Sequence, residues 1–250
     1  MSLWLPERLK RTARMHAIVG LDAHGMAWLC NEAATTAPRQ ADITELAKHL
    51  VPGARVDVIV AVDVAVHWLQ TPPAGVNSLP ELRQIAATRC AHLFGGVPAG
   101  WWVAGDWSAT QAFVCAGLPI ERVGPLQHAL AAAGTQTRWH TAWGLLCQAR
   151  GGRLPADGWS AVSGAGGVVL WCCQRGRVIG LASLTVDTQA DRATAQAAVA
   201  QHLRIECLRD PTLALGPVHW ADLPMPADTM PHSGAALALA LAPLLSKALP

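Results

Sequence analysis

Asp22 is the first residue whose type and position could do chemistry. It ends an apolar run at residues 18–21, residues 23–25 can form a turn, and Met26 begins a second apolar run. A carboxylate at the tip of such a strand–turn–strand either caps its own backbone or binds the metal of a metal–nucleotide. The residues alone leave both alternatives open.

A second candidate is the glycine-rich stretch that follows Ser163, which contains Gly164, Gly166 and Gly167. The stretch is not a P-loop, because the spacing differs from G-x-x-x-x-G-K-[ST] and no lysine follows. Glycine clusters are also common in ordinary turns. The glycines could therefore serve either a ligand or the turn itself.

The ten histidines and seven cysteines do not predict a metal centre. The sequence has no H-x-x-x-H, H-E-x-x-H or C-x-x-C spacing, and it has no G-x-S-x-G for a hydrolase nucleophile. Cys172 and Cys173 are adjacent in an apolar strand, so their side chains should point to opposite faces and be buried in the core. We expect no metal ligands and no catalytic residue.

Three tryptophans, Trp101, Trp102 and Trp107, form another candidate site. Adjacent residues of a strand point to opposite faces, so Trp101 and Trp102 cannot both enter one core. An uncovered face would be a partner-binding surface. The alternative is a sheet with a core on both faces.

The elements that must position these residues mix helices and strands. Apolar spacing and capping signals predict helices within 38–53, 77–94, 120–134, 141–150, 188–209 and 233–248. Strands are predicted in the hairpin 16–30, at 56–62, 100–105, 135–140, 159–162, 168–173 and 178–186, and within 212–223, with a strand or helix start at 109–117. The turn of the later hairpin is predicted at Arg175–Gly176. Strand–turn–strand openings near residues 16 and 159 suggest two similar halves. Because helices and strands are mixed along the chain, we expect the α/β fold class.

Composition excludes several classes of protein. The chain has 250 residues, is 52% hydrophobic and only 14% charged, and carries a net charge of +2. The small net charge gives little support to nucleic-acid binding. The low fraction of charged residues predicts a large core or a surface that partners partly cover. The N-terminus lacks the apolar core of a signal peptide, and the most apolar C-terminal run is shorter than the ~20 residues that span a bilayer. We expect a cytoplasmic protein without a membrane span.

Four stretches together resemble the PilM family of type IV pilus assembly proteins and its type II secretion relative GspL. They are IVGLDAHGMAWL, SLPELRQIAATRC, GLPIERVGPLQHALAAAGTQTRWHTAWGLL and WSAVSGAGGVVLWCCQRGRVIGLASLTV. The order and the spacing of the four stretches along the chain support the resemblance. The resemblance implies a two-lobed actin-like fold, a duplicated ribonuclease H-like architecture. It places the first lobe at 16–150, with an inserted subdomain at about 77–139, and a trimmed second lobe at 151–250.

The same resemblance implies a nucleotide site that has lost key residues. Members that hydrolyse ATP hold Mg-ATP between two hairpins with an aspartate at each. Here Asp22 and Gly25 remain, but His24 stands where a glycine is expected. In the second hairpin Ser163 replaces the aspartate, ahead of Gly164, Gly166 and Gly167. We expect a vestigial site, no required cofactor and no ATP hydrolysis.

The expected function is that of a scaffold at the inner face of the bacterial inner membrane. The resemblance implies binding to the cytoplasmic tail of a PilN-like membrane protein, and contact with a PilO-like protein and an assembly ATPase. The alternative is an active actin-like ATPase or small-molecule kinase that binds Mg-ATP between the lobes. A filament-forming actin relative is a third class.

Overall fold

The computed structural model describes residues 15–22, 25–30, 39–40, 42–149, 157–164, 166–186, 192–210, 213 and 216–221. The strands in this part of the chain are β1 (His16–Asp22), β2 (Gly25–Cys30), β3 (Arg39–Gln40), β4 (Arg55–Val60), β5 (Val66–Gln70), β6 (Trp101–Gly105), β7 (Phe113–Pro119), β8 (Gln136–Thr141), β9 (Gly158–Gly164), β10 (Gly167–Gln174), β11 (Arg177–Thr185) and β12 (Val218–Trp220). The helices are α1 (Ile43–His49), α2 (Leu79–Phe94), α3 (Ile120–Ala132), α4 (Ala142–Ala149) and α5 (Arg192–Arg209). The helix predicted at 233–248 lies outside the described residues.

The first-lobe sheet has the order β3-β2-β1-β4-β8. β1 and β2 form the predicted antiparallel hairpin, and β1, β4 and β8 run parallel. Val56, Val58 and Val60 of β4 point to one face, where they pack in one core with Leu46 of α1 and Leu126 of α3. Alternation along the strand therefore buries the valines under two helices.

The inserted sheet has the order β5-β7-β6, and α2 covers one of its faces. α2 begins where the sequence predicts: Ser78 and Glu81 form a capping box, and Pro80 lies in the first turn. Gly95 follows its last residue, as expected. Leu82 of α2 is buried in this core, whereas Leu93, which we expected on the same stripe, is 43% exposed.

The second-lobe sheet has the order β11-β10-β9-β12. β9, β10 and β11 form an antiparallel meander, and β12 runs parallel to β9. Arg175 and Gly176 both have positive φ, 51° and 74°, which is the primed turn that the sequence predicts between β10 and β11. Cys172 and Cys173 lie in two different cores, as strand alternation requires.

One strand is absent from the sequence prediction. β5 is not predicted as a separate strand, because the turn at residues 61–65 that separates it from β4 has neither glycine nor proline. The strand alternative for 109–117 is realised as β7. The strands of the inserted sheet lie between 66 and 119, and α3 and β8 pack with the first-lobe sheet. The lobe and insertion bounds that the resemblance implies stay a prediction.

None of the described helices combines the length and the hydropathy that a bilayer-spanning helix requires.

Candidate functional site

Asp22 is the last residue of β1 and is 7% exposed. Its carboxylate accepts a hydrogen bond of 2.9 Å from the backbone N–H of Gly25, across the turn that joins β1 to β2. Asp22 therefore caps its own hairpin, which is one of the two alternatives left open by the sequence. His24, the other residue singled out here, lies outside the described residues. A nucleotide role for Asp22 and Gly25 stays a prediction.

The second hairpin packs directly against the segment that follows β4. A Cβ atom added to Gly167 would lie 2.7 Å from the carbonyl oxygen of Val62 and 3.0 Å from the Asp63 backbone. One added to Gly164 would lie 2.7 Å from Cγ2 of Val62. Because this contact is too tight even for a methyl group, a phosphate does not fit between the second hairpin and residues 62–63. Gly164 and Gly167 thus have a packing explanation.

The remaining predicted residues of this hairpin have simpler environments. Gly166 has a φ of 79°, so the turn uses the left-handed conformation that favours glycine. Ser163 is exposed at the end of β9 and pairs with Val168. The segment after β4 also contacts the first hairpin, because the Ala61 N–H donates to the Leu21 carbonyl at 2.8 Å. It therefore contacts both candidate hairpins.

The adjacent tryptophans enter two different cores. Trp101 packs with α2 residues and donates from Nε1 to the Gly95 carbonyl at 2.9 Å. Trp102 points to the first-lobe core and meets Trp139 edge-on, with ring centroids 5.1 Å apart. Trp107 lies near the Arg83 guanidinium, 5.8 Å from ring centroid to Cζ. The opposite orientation of Trp101 and Trp102 is confirmed, and partner binding by the three tryptophans stays a prediction.

A groove of about 490 Å³ lies between the inserted sheet and the first lobe. We call it the edge groove, because consecutive residues of two sheet-edge strands line it: 104–106 at the end of β6 and 139–141 at the end of β8. Within the described part of the chain, β6 and β8 are each terminal in their sheets. Their outer backbone groups are therefore available to a further strand.

His67 and Trp143 form the inner wall of the edge groove. The His67 side chain is 0% exposed, and its ring lies 5.2 Å from the Trp143 ring. Its ring nitrogens form no hydrogen bond of good geometry with a described residue, and the Ala65 backbone acts on the imidazole only as a weak partner. The Trp143 Nε1 also lacks a partner among those residues. Burial lowers the pKa of His67 to about 3, so the imidazole is neutral at pH 7.

Sequence reasoning missed a buried charge cluster on the other face of the first-lobe sheet. The carboxylate of Asp57, 0% exposed, accepts from Nε2 of His16 at 2.6 Å and from Nε2 of His140 at 2.9 Å, and Nε of Arg55 lies 3.3 Å away. Burial alone would raise the pKa of Asp57, but the histidine hydrogen bonds and the Arg55 charge outweigh it and lower the pKa to about 2. The sequence signal that could have indicated this cluster is Asp57 itself, because an aspartate inside the apolar run RVDVIV needs a buried partner.

No set of three or more His, Cys, Asp or Glu side chains in the described ranges has the arrangement of a metal site. In the Asp57 cluster the two imidazoles bind different carboxylate oxygens rather than converging on one point.

No family model and no curated protein matches the chain. Among solved structures, the cytoplasmic domain of EpsL, an inner-membrane component of the type II secretion system of Vibrio cholerae, has a TM-score of 0.50 and 11% identity, over 94% of this chain and 96% of that one. A Bacteroides thetaiotaomicron protein with an actin-like ATPase fold and unknown function has a TM-score of 0.54 and 10% identity, over 86% and 84%. The PilM–PilN type IV pilus biogenesis complex has a TM-score of 0.48 and 11% identity, over 92% and 85%.

At these identities the likeness concerns the fold. The chain has the actin-like ATPase fold that its sequence predicts.

Proposed function

We propose that this chain is a cytoplasmic scaffold, peripheral at the inner membrane, in a type II secretion or type IV pilus-like assembly platform. It binds the extended cytoplasmic tail of a PilN-like membrane protein in the edge groove and does not hydrolyse ATP. The observation that carries the proposal is the edge groove, with its two sheet-edge strands above a wall of mixed apolar and polar side chains.

The two sheet edges at the groove favour an extended peptide over a helix. A peptide strand that adds to β6 or β8 gains main-chain hydrogen bonds, and its alternate side chains reach the groove wall. That wall includes Val114, Ala116, Trp139 and Leu145. Trp102, predicted to bind a partner, packs against Trp139 and so lies directly behind this surface.

Two further features support a scaffold rather than an ATPase. The second hairpin packs against Val62 and Asp63 too tightly for a phosphate to enter between them. In this hairpin Ser163 stands where the resemblance implies an aspartate, so one carboxylate that could hold Mg²⁺ is missing. The fold likeness to the EpsL cytoplasmic domain, which spans nearly all of both chains, supports the choice of system. The sequence resemblance adds a PilO-like protein and an assembly ATPase as further partners.

Peptide binding tests the proposal. A labelled synthetic peptide with the sequence of the cytoplasmic tail of a PilN-like membrane protein from the same organism is titrated with the full chain, and fluorescence anisotropy is measured. Ala104→Arg places a long side chain at an exposed position in the groove and should weaken binding at least about tenfold, or ~1.4 kcal/mol.

The matched control is Ala131→Arg, which makes the same change at an exposed position on α3, outside the groove. It should bind the peptide like the wild type. Equal weakening by both variants, or no binding by the wild-type protein, would contradict docking in the groove.

A thermal-unfolding experiment with Mg-ATP separates the scaffold from the alternative, an active ATPase or small-molecule kinase. A nucleotide at 100 times its Kd would add about 2.7 kcal/mol to the free energy of unfolding. The scaffold predicts an unchanged melting temperature, whereas a clear rise together with phosphate release would establish the enzyme. Pelleting of the chain alone would instead indicate a filament former.

A further inference from the structure

A second cavity, of about 490 Å³, lies at the amino ends of the parallel strands of the first-lobe sheet. We call it the cationic pocket. The first residues of three strands line it, namely His16 of β1, Arg55 of β4 and Gln136 of β8, together with Arg138. Asp22 is at the opposite end of β1, so this cavity is separate from the hairpin turns where a nucleotide was expected.

The charges in the cationic pocket are not balanced. Asp57 lies behind the pocket, and each of its oxygens already accepts a hydrogen bond from a histidine. The Nε of Arg55 is near this carboxylate but does not form a hydrogen bond with it, and the buried Nε and Nη2 have no hydrogen-bond partner among the described residues. Arg138 is exposed and forms no ion pair with any described residue. The pocket therefore contains two guanidinium groups against one carboxylate, which is paired with Arg55, so one positive charge is left over.

We propose that the cationic pocket binds a phosphate group, either free or in a small phosphate ester. A guanidinium presents two parallel N–H donors that match two oxygens of one phosphate, and the positive charge that Asp57 leaves unbalanced attracts an anion. His16 and the amide of Gln136 supply further polar contacts at the rim. The volume lies within the range of small-molecule sites and exceeds what a bare phosphate fills.

The test uses the full chain at constant ionic strength. Inorganic phosphate, glycerol 3-phosphate and succinate are titrated separately, and the thermal midpoint and the heat of binding are measured. Both phosphates should bind more tightly than succinate, whose two charges lie on separate carboxylates rather than on one group. Tighter binding of glycerol 3-phosphate identifies an ester as the ligand, and equal binding identifies free phosphate.

Arg138→Gln removes one guanidinium at an exposed position and should weaken phosphate binding about tenfold. Arg89→Gln makes the same change at an exposed position on α2, outside the pocket, and should bind like the wild type. The melting temperatures of both variants without ligand verify that they fold.

Absence of phosphate binding by the wild-type protein, equal binding of succinate, or equal losses in both variants would overturn the assignment. Ala104→Arg, the groove variant, should bind phosphate normally. The result for the cationic pocket is therefore independent of the result for the peptide.

Discussion

At the scale of single residues, His67 combines complete burial with two ring nitrogens that form no hydrogen bond of good geometry with a described residue. A buried polar atom in this state costs free energy that an apolar side chain would not. The chain tolerates this cost at the wall of the edge groove. A ligand group that reaches either nitrogen would recover the missing hydrogen bond.

The pH dependence of stability should report on this histidine. Its pKa is about 3 in the folded protein against an ordinary 6.5, so between these values the unfolded chain binds a proton that the folded protein does not. The free energy of unfolding should therefore fall as pH falls from 6.5, with a contribution of up to about 1.4 kcal/mol per pH unit. His67→Leu should flatten that slope and should not lower stability at pH 7.

Urea denaturation at a series of pH values measures this slope. His128→Leu, at an exposed position on α3, is the control and should leave the slope as in the wild type. If the pH dependence of the free energy of unfolding is the same in His67→Leu and in the wild type, then His67 takes up its proton equally in the folded and unfolded protein. That result would contradict the lowered pKa.

At the scale of elements, the close approach of the second hairpin to the segment after β4 makes a direct prediction. Gly167→Ala must push Cβ against the Val62 carbonyl and the Asp63 backbone, which cannot yield as a flexible side chain would. We expect a loss of about 1–3 kcal/mol in the free energy of unfolding, typical of overpacking.

Gly216→Ala is the matched control, measured in the same thermal-denaturation series. Gly216 is exposed, and an added Cβ would meet no atom within 4 Å. Alanine there should leave the free energy of unfolding close to that of the wild type. Gly167→Ala with wild-type stability would mean that the hairpin and the segment after β4 separate in solution.

The same elements show what the sequence could predict. The cap of α2 at Ser78 and Glu81 and the turn at Arg175–Gly176 are local signals, and both were predicted correctly. β5 was missed because tertiary packing, rather than a turn residue, bends the chain after β4. The edge groove and the Asp57 cluster unite residues more than 40 positions apart, which no local pattern encodes.

At the scale of the whole molecule, the Ser183 side chain hydrogen-bonds the second lobe to the inserted sheet. The backbone N–H of His67 in β5 donates to Oγ of Ser183 in β11 at 2.7 Å. Ser183→Ala leaves this amide without its partner and should cost about 1–3 kcal/mol. Hydrogen exchange at the His67 amide should accelerate at the same time.

Ser183→Thr retains the hydroxyl on a residue that suits a strand, so both quantities should stay close to those of the wild type. Wild-type exchange at His67 in the alanine variant would show that the lobes do not depend on this bond. The experiment therefore measures how firmly the second lobe supports the inner wall of the edge groove.

The aromatic composition gives the edge groove a built-in optical signal. The chain has 11 tryptophans and no tyrosine, so indole emission dominates its intrinsic fluorescence. Trp139 and Trp143 both line the groove, and Trp143 is also next to His67. Displacement of water from these indoles should shift the emission to shorter wavelength, which lets an unlabelled occupant be followed without any attached dye.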